Sequence, residues 1–269
     1  AWVTGAGAVL ANVIAIFSLT GLLFFFSQYL QFIKGLEPLA ADLIGLVKTI
    51  YNNLGRSRPF EELQIDCDWT VSTRDKYFAL LKAIKSKTGV ALSATIRLHQ
   101  VKYTSSSGFP PVDRGLLMCY NMGNLKNPGT RNSIIELAEL KRYTEKLPDY
   151  PLPLDVALPL FSWKVLFRQN EYSGLIKDLP DSLLKPSFTT QNNQRFIFLK
   201  DTLLLGYDFK KGDLLRSEES SYEEVMAVAR WISSRLKNTR MRVSLYHLDS
   251  LLLRKFSRNE MEDIYYSLR

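Results

Sequence analysis

Segments typical of β-strands and of helices alternate along this chain from about residue 61 to its end. Residues 63–70 form an apolar strand-like run, residues 72–84 carry apolar side chains at helical spacing, and residues 90–98 are strand-like again. Further strands are predicted over 114–120, 156–161, 195–199 (with 213–216 competing) and 242–247, and helices over 132–143 and 222–237. Residues 164–193 are less regular and are interpreted as an elaborated crossover. Capping boxes within 220–224 and at 257–260 are expected to start the last two helices. Alternation of this kind is typical of a parallel α/β sheet.

The first 33 residues decide how many strands that sheet could have, because they contain no charged residue. If residues 9–17 and 22–27 are buried strands, the count reaches eight and predicts a TIM-like (β/α)8 barrel. The connection between them is short for a parallel crossover, so the same segment also fits a membrane anchor and a barrel incomplete at its N-terminus. An open, doubly wound parallel sheet is the alternative. We therefore divide the chain into an apolar segment, 1–33, and a barrel domain, 34–269.

Composition excludes some classes of function. The 269 residues carry a formal charge of +8, but the basic residues are scattered rather than grouped with aromatic ones, so we expect no nucleic-acid partner. The two cysteines, Cys67 and Cys119, have no metal-ligand spacing, and no glycine-rich phosphate loop is present. We therefore expect no cofactor and no metal. A metal-dependent hydrolase is a third possibility, because Asp66, Asp68, His99, His247 and Asp249 are ligand types that suit a divalent ion, but no spacing motif supports such a site.

Polar residues collect where the predicted strands end, which is where barrel enzymes place their active sites. Asp66 and Asp68 lie two residues apart in one strand, which would put both carboxylates on one face. The other candidates, all expected to bind substrate, are Arg97, His99, Gln100, Tyr120, Asn121, Trp163, His247 and Asp249. His99 is expected to lie on the same strand face as Arg97.

The acids suggest roles in cleaving a glycosidic bond. Asp68 is the candidate acid/base or nucleophile, and Asp66 is its electrostatic partner. Because glycoside hydrolysis needs a second carboxylate from elsewhere, Glu218 or Asp249 would have to supply it. The alternative is structural, since Arg97 could simply neutralise one of the two aspartates as an ion pair.

Several motifs together resemble one uncharacterised group of bacterial envelope proteins that is itself similar to glycoside-hydrolase TIM barrels. They are QIDCDWT at 64–70, SATIRLHQVKY at 93–103, PPVDRG at 110–115 and LDVALP at 154–159. The resemblance runs from about residue 61 to the C-terminus. It implies a sugar-handling barrel in the bacterial cell envelope, either periplasmic or associated with the outer membrane.

The spacing of Asp66 and Asp68 also resembles the DxDxE strand of chitinases, in which the final Glu is the proton donor. Here the third position is Thr70, and a threonine cannot protonate a leaving glycosidic oxygen. Two functions therefore stay open. One is a carbohydrate-active, glycoside-hydrolase-like protein with a glycan substrate. The other is a non-catalytic glycan-binding protein or a structural subunit of a membrane complex of the envelope.

Overall fold

A computed structural model describes residues 35–55, 60–177, 179–236, 241–247 and 255–268. The chain divides into two compact units: unit 1 comprises 1–118 and 149–155, and unit 2 comprises 119–148 and 156–269. The expectations for residues 1–33 lie outside the described residues. No helix among the described residues has both the length and the apolar character needed to cross a membrane.

Unit 1 is built from helices and parallel strands that alternate as predicted. Its elements are α1 (Leu36–Asn53), β1 (Glu62–Ile65), α2 (Arg74–Thr88), β2 (Ala91–Arg97), α3 (Leu98–Lys102), α4 (Thr104–Ser107), β3 (Arg114–Met118) and the start of β4 (Leu154–Pro159). β2 pairs in parallel with β1 on one side and with β3 on the other. The predicted strand–helix–strand unit is therefore confirmed.

The core of unit 1 follows from the composition of β2 and α2. Every residue of β2 between its two end residues is buried, so both faces of the strand are covered, and its side chains are accordingly small or apolar. The predicted apolar stripe of α2 is also buried, and the helix ends at Gly89 in the left-handed conformation that a helix stop favours. Gly115 of β3 is required by close packing, because a Cβ there would lie 2.7 Å from side-chain atoms of Ile96 and Leu154.

Unit 2 carries an antiparallel sheet that the sequence did not predict. Its elements are α5 (Leu137–Tyr143), β5 (Ser162–Arg168), β6 (Glu171–Ile176), β7 (Thr189–Asn192), β8 (Arg195–Phe198), β9 (Thr202–Leu204), β10 (Tyr207–Phe209), β11 (Leu214–Glu219), α6 (Tyr222–Ser233), β12 (Val243–Tyr246) and α7 (Arg258–Tyr266). Five strands form a sheet in the order β6-β5-β11-β8-β7, and the remainder of β4 pairs in parallel with β12.

Several local predictions for unit 2 need correction. Residues 195–198 and 214–219 are both strands, but they are antiparallel neighbours and not competing members of a parallel sheet. The region after residue 164, expected to be an elaborated crossover, instead contains β5 and β6, which pair directly. The helix expected from residue 132 starts at Leu137, because the Asn132 side chain accepts hydrogen bonds from the backbone N–H groups of Ile134 and Ile135.

The antiparallel sheet has its own apolar core. A buried cluster joins one face of the sheet to the loop after β6 and to β10; its members are Ile176, Leu179, Leu184, Phe196, Phe198, Phe209 and Leu215. Phe198 and Phe209 stack with ring centroids 4.2 Å apart, which fixes β10 against β8. The caps predicted for the last two helices are present, with Ser221 and Ser257 accepting from the backbone N–H groups of Glu224 and Glu260.

Candidate functional site

The two aspartates lie just beyond the end of β1, and not within it. Strand pairing stops at Ile65, so strand alternation does not determine which way Asp66 and Asp68 face, and the prediction of one shared strand face was wrong. β2, the parallel neighbour of β1, brings its own end close to them. The Asp68 carboxylate forms an ion pair with the guanidinium of Arg97, and the Asp66 carboxylate accepts a 2.8 Å hydrogen bond from the Thr95 hydroxyl.

In this acidic cluster of Asp66, Asp68, Thr95 and Arg97, the two aspartates and the arginine reach solvent, whereas Thr95 is buried. The Asp68 side chain retains 35% of its accessible surface and Arg97 retains 46%. An ion pair this exposed contributes little to folding, about 0–1 kcal/mol, since water competes for both partners. Its polar atoms therefore remain available to a ligand. Thr95 was missed by the sequence reasoning, although its position two residues before Arg97 on the same strand was the signal that could have identified it.

Asp66 differs from a free aspartate in its affinity for protons. The residue is exposed as a whole, but partial burial of its carboxyl group raises the pKa, and the negative charge of Asp68 raises it further. The Thr95 hydrogen bond and the charge of Arg97 act in the opposite direction without cancelling these effects. Asp66 therefore keeps a proton to a higher pH than a free aspartate does.

Thr70, in the position of the chitinase glutamate, belongs to the turn that starts α2. Its backbone N–H donates to the Thr73 hydroxyl at 2.9 Å, and its carbonyl accepts from the Arg74 N–H at 2.9 Å. Its own hydroxyl lies 2.9 Å from that of Ser72. These bonds are typical of a helix entry, and none of the groups involved is an acid that could give up a proton to a leaving group.

His99 and Gln100 lie on helix α3, so the prediction that His99 shares a strand face with Arg97 was wrong. His99 is exposed as a whole, but partial burial of its ring lowers the pKa, and the charge of Arg97 lowers it further. Gln100 is buried, and its side-chain oxygen accepts from the backbone N–H of Arg97 at 2.8 Å. Gln100 thereby holds the turn that presents Arg97 to Asp68.

Tyr77 is a second residue that sequence reasoning assigned only to the core. It is buried, stacks on Trp69 with ring centroids 5.2 Å apart, and its hydroxyl has no hydrogen-bond partner among the described residues. Burial raises its pKa well above the usual value, and the charges of Cys67, Asp66 and Asp68 act in the same direction. Tyr77 therefore stays a neutral phenol in the core of unit 1.

Glu218, the proposed second carboxylate, lies in unit 2 on β11 and is completely buried. It accepts from the Ser133 hydroxyl at 2.5 Å, from the Trp163 indole at 2.6 Å and from Arg216 Nε at 2.6 Å. Arg216 is itself buried and donates to the carbonyls of Asn127 and Leu125 at 2.6 and 3.1 Å. These bonds give Glu218 a structural task, namely to neutralise Arg216 and to fix the loop over 125–133.

Burial lowers the pKa of Arg216, and the neighbouring charge of Glu218 opposes that shift. The guanidinium also lies over the ring of Phe167, 5.0 Å from its centroid. This buried pair of Arg216 and Glu218 is therefore supported by an aromatic face, two carbonyls, a hydroxyl and an indole. A site so fully occupied leaves little capacity for a ligand.

The aromatic candidates of unit 2 form a cluster. Tyr120 stacks on Tyr246 with centroids 5.1 Å apart, and Phe161 packs edge-on against both rings. His247 contacts Tyr246, with centroids 5.2 Å apart. Sequence reasoning missed Phe161 and Tyr246, which follow the ordinary apolar pattern of strands. Tyr120 and His247 both belong to this cluster through Phe161 and Tyr246, and their role in substrate binding stays a prediction.

The remaining candidates have separate surroundings. Trp163 lies in β5 and not at the tip of β4, and its indole ring is 5.1 Å from that of Phe161. Asn121 is exposed with a left-handed φ of 53°, which asparagine tolerates better than most residues. Asp249 lies outside the described residues. Among the described residues, no three His, Cys, Asp or Glu side chains are grouped as a metal site would require.

The chain is similar to known proteins in its fold but not in its sequence. No protein-family model matches it, and no curated protein is significantly similar. The C-terminal domain of a putative chitinase from Desulfitobacterium hafniense DCB-2 superposes with a TM-score of 0.53 at 12% identity, covering 86% of this chain and 73% of that one. A Group IV chitinase from Ostrinia furnacalis superposes with a TM-score of 0.50 at 12% identity, covering 85% and 73%.

Sequence identities of 12% support similarity of fold and nothing further. The predicted fold class, an α/β fold of TIM-barrel character, is confirmed by the parallel strands and by these superpositions. The chain has a glycoside-hydrolase-like fold.

Proposed function

We propose that the protein binds a carbohydrate through the acidic cluster of unit 1 without cleaving it. The observation that supports the proposal most strongly is how Asp68 is bonded and which residue stands in the position of the proton donor. Asp68 is held by Arg97, and the position where a chitinase has its proton donor is Thr70, which is used in a helix entry. Such a site can accept and donate hydrogen bonds, but it lacks the acid and base pair that cleavage needs.

The chemistry of the cluster suits sugar hydroxyl groups. Half-exposed carboxylates accept hydrogen bonds from hydroxyls, and the free N–H groups of a guanidinium donate to them. Because the similar structures include chitinases, a chitin-like oligosaccharide is the first ligand to examine. Stacking of sugar rings on Tyr120, Trp163 or His247 stays a prediction.

Hydrolysis is the second candidate, and one observation favours it. The raised pKa of Asp66 is the direction expected of a carboxyl group that delivers a proton. Glu218 fits poorly as the second carboxylate of such a mechanism, because its side chain is completely buried and bound by three donors. Asp66 would need another partner for a hydrolytic reaction.

A binding and turnover assay separates the two candidates. The chain is titrated with chito-oligosaccharides, and the mixture is analysed by chromatography for shorter products. We expect saturable binding without products, and binding weakened about tenfold or more in Asp68→Asn, which loses a charged hydrogen-bonding group. Asp75→Asn is the matched control, because Asp75 lies in the same unit with 84% of its side chain exposed. Products that form with the wild type and vanish in Asp68→Asn would overturn the binding-only proposal.

An envelope location and membership of a membrane complex stay predictions that derive from the sequence resemblance. They agree with a glycan-binding role, since bacterial envelopes are rich in polysaccharide, but the two ideas are separable. Fractionation of cells that express the tagged full chain would test the location. Recovery with the envelope fraction is the expected result, and recovery with the cytosol would contradict it.

A further inference from the structure

The β9–β10 hairpin of unit 2 exposes large apolar side chains at its tip. Leu203 keeps 75% of its surface exposed, more than any other large apolar residue that the structure describes, and Leu205 and Tyr207 keep 58% and 40%. The inner side of the same hairpin is well packed, since Phe209 is buried and Leu204 contacts the apolar core of the sheet. The hairpin is thus fixed on one side while Leu203 and Leu205 face water.

The turn of this hairpin is unfavourable for the residue it carries. Strand pairing ends at Leu204 and Tyr207, so Leu205 and Gly206 form a two-residue loop, with φ angles of 50° and 82°. Loops with two positive φ angles favour Asn-Gly or Asp-Gly, whereas a bulky apolar residue is strained there. Leucine at this position carries a conformational cost as well as the cost of exposure. An apolar contact for Leu205 would explain why it is present.

Lys200 and Lys211 flank the two strands of the hairpin in the chain, and Lys185 follows Leu184 of the apolar core against which the hairpin packs. Lys185, Lys200 and Lys211 are exposed, and their ammonium groups have no carboxylate partner within the described part of the chain. The two acids of the hairpin share the Lys210 ammonium group, since Asp208 lies 2.8 Å and Asp201 3.6 Å from it. The one negative charge that remains is smaller than the three positive charges of Lys185, Lys200 and Lys211. A hairpin with an apolar tip and unpaired lysines near its base matches a binding partner that has a negatively charged surface and an apolar interior.

A lipid bilayer with anionic headgroups has that arrangement. Leucine side chains enter the acyl region, an aromatic residue such as Tyr207 suits the headgroup boundary, and lysines contact the lipid phosphates. We propose that the β9–β10 hairpin inserts its tip, Leu203 to Tyr207, into the surface of an anionic membrane. The inference is independent of the proposed glycan binding, because it uses no residue of the acidic cluster.

A local probe tests the proposal in the full chain. The fluorophore NBD is attached to a cysteine introduced as Leu205→Cys, and a matched label at Ala138→Cys, exposed on α5 of the same unit, is the control. The native thiols compete poorly for a maleimide at neutral pH, because Cys119 is fully buried and the pKa of Cys67 is raised to about 11. A local readout is needed since residues 1–33 could bind lipid by themselves.

With vesicles of equal parts phosphatidylcholine and phosphatidylglycerol, we expect the label at 205 to brighten several-fold and shift to the blue, while the label at 138 does not change. Phosphatidylcholine alone should give a weaker response, and Leu203→Ser should weaken the apparent affinity of the hairpin about tenfold. An unchanged label at 205, or equal responses at 205 and 138, would overturn the proposal. A blue shift that grows with protein concentration in the absence of vesicles would also overturn it, in favour of contact with a second copy of the chain.

Discussion

The Asp68–Arg97 pair of unit 1 and the Glu218–Arg216 pair of unit 2 join the same chemical groups in opposite surroundings. The first keeps 35% and 46% of its two side chains exposed, and the second keeps 0% and 1%. Glu218 accepts from three donors and Arg216 reaches two carbonyls as well, so the buried pair is nearly saturated. The exposed pair has capacity left for a ligand.

The function of a carboxylate depends on its surroundings as much as on its chemistry. A buried pair is costly to break, because the remaining partner becomes an uncompensated charge in a poorly solvated site. An exposed pair costs little to break, since water replaces the lost partner. Substitutions in the two pairs test whether the Asp68–Arg97 pair serves binding and the Glu218–Arg216 pair serves folding.

The largest effect is expected when the buried pair loses its charge balance. Glu218→Gln should lower the free energy of unfolding by about 3–5 kcal/mol, because Arg216 keeps its charge with no carboxylate to neutralise it. Urea denaturation followed by circular dichroism measures the change. Glu219→Gln is the control, since its side chain is 53% exposed and its contact with Lys255 is 3.6 Å long; its effect should be below about 1 kcal/mol. Equal, small effects for both variants would contradict the structural role of Glu218.

A smaller loss of folding stability is expected when Glu218 of the buried pair loses one of its hydrogen-bond donors. Trp163→Phe removes the indole N–H that Glu218 accepts at 2.6 Å and should cost about 1–3 kcal/mol. The cost should shrink in the Glu218→Gln background, because the two residues share one network. A double-mutant cycle of unfolding free energies measures this coupling. Strictly additive effects would mean that the hydrogen bond does not contribute.

The exposed pair should contribute much less to folding. Arg97→Gln should change the free energy of unfolding by less than about 1 kcal/mol, because both members of the pair are half-exposed. The same urea experiment detects the change. A loss above about 3 kcal/mol would place this pair in the same class as the buried one and would remove the distinction between them.

The smallest effect concerns the pH dependence of stability at Asp66. Because the pKa of Asp66 is raised in the folded protein, the folded state binds this proton more tightly. Binding of this proton therefore stabilises the folded protein below the ordinary aspartate pKa. That stabilisation is lost as the pH rises through the pKa that Asp66 has in the folded state. Relative to Asp66→Asn, the wild type should lose a small amount of stability as the pH rises above the ordinary aspartate pKa of about 4. A relative gain above that pH would mean that the pKa is lowered.

The sequence predicted unit 1 better than unit 2, and the reason is physical. In unit 1 a buried strand, an amphipathic helix and a glycine stop occur close together in the chain, so local patterns determine β2, α2 and their order. The antiparallel sheet of unit 2 depends on pairing between distant segments, such as β5 with β11, which alternation within a short window does not reveal.

The candidate site shows the same limit at the scale of single residues. The proximity of Asp68 to Arg97 could be predicted, because adjacent parallel strands end at the same edge of a sheet. The surroundings of Glu218 could not be predicted, because the residues that enclose its side chain include Ser133, which is 85 positions away in the chain. A sequence pattern identifies an acid, but long-range packing decides whether a ligand can reach it.

The most direct test measures ligand affinity and folding stability side by side in Asp68→Asn and Glu218→Gln. Chito-oligosaccharide binding is followed by calorimetric titration at a temperature where both variants are folded, and stability by urea denaturation. The account predicts that Asp68→Asn loses about tenfold or more in affinity with little change in stability, whereas Glu218→Gln loses stability and binds like the wild type. Wild-type affinity in Asp68→Asn, together with lost affinity in folded Glu218→Gln, would contradict it.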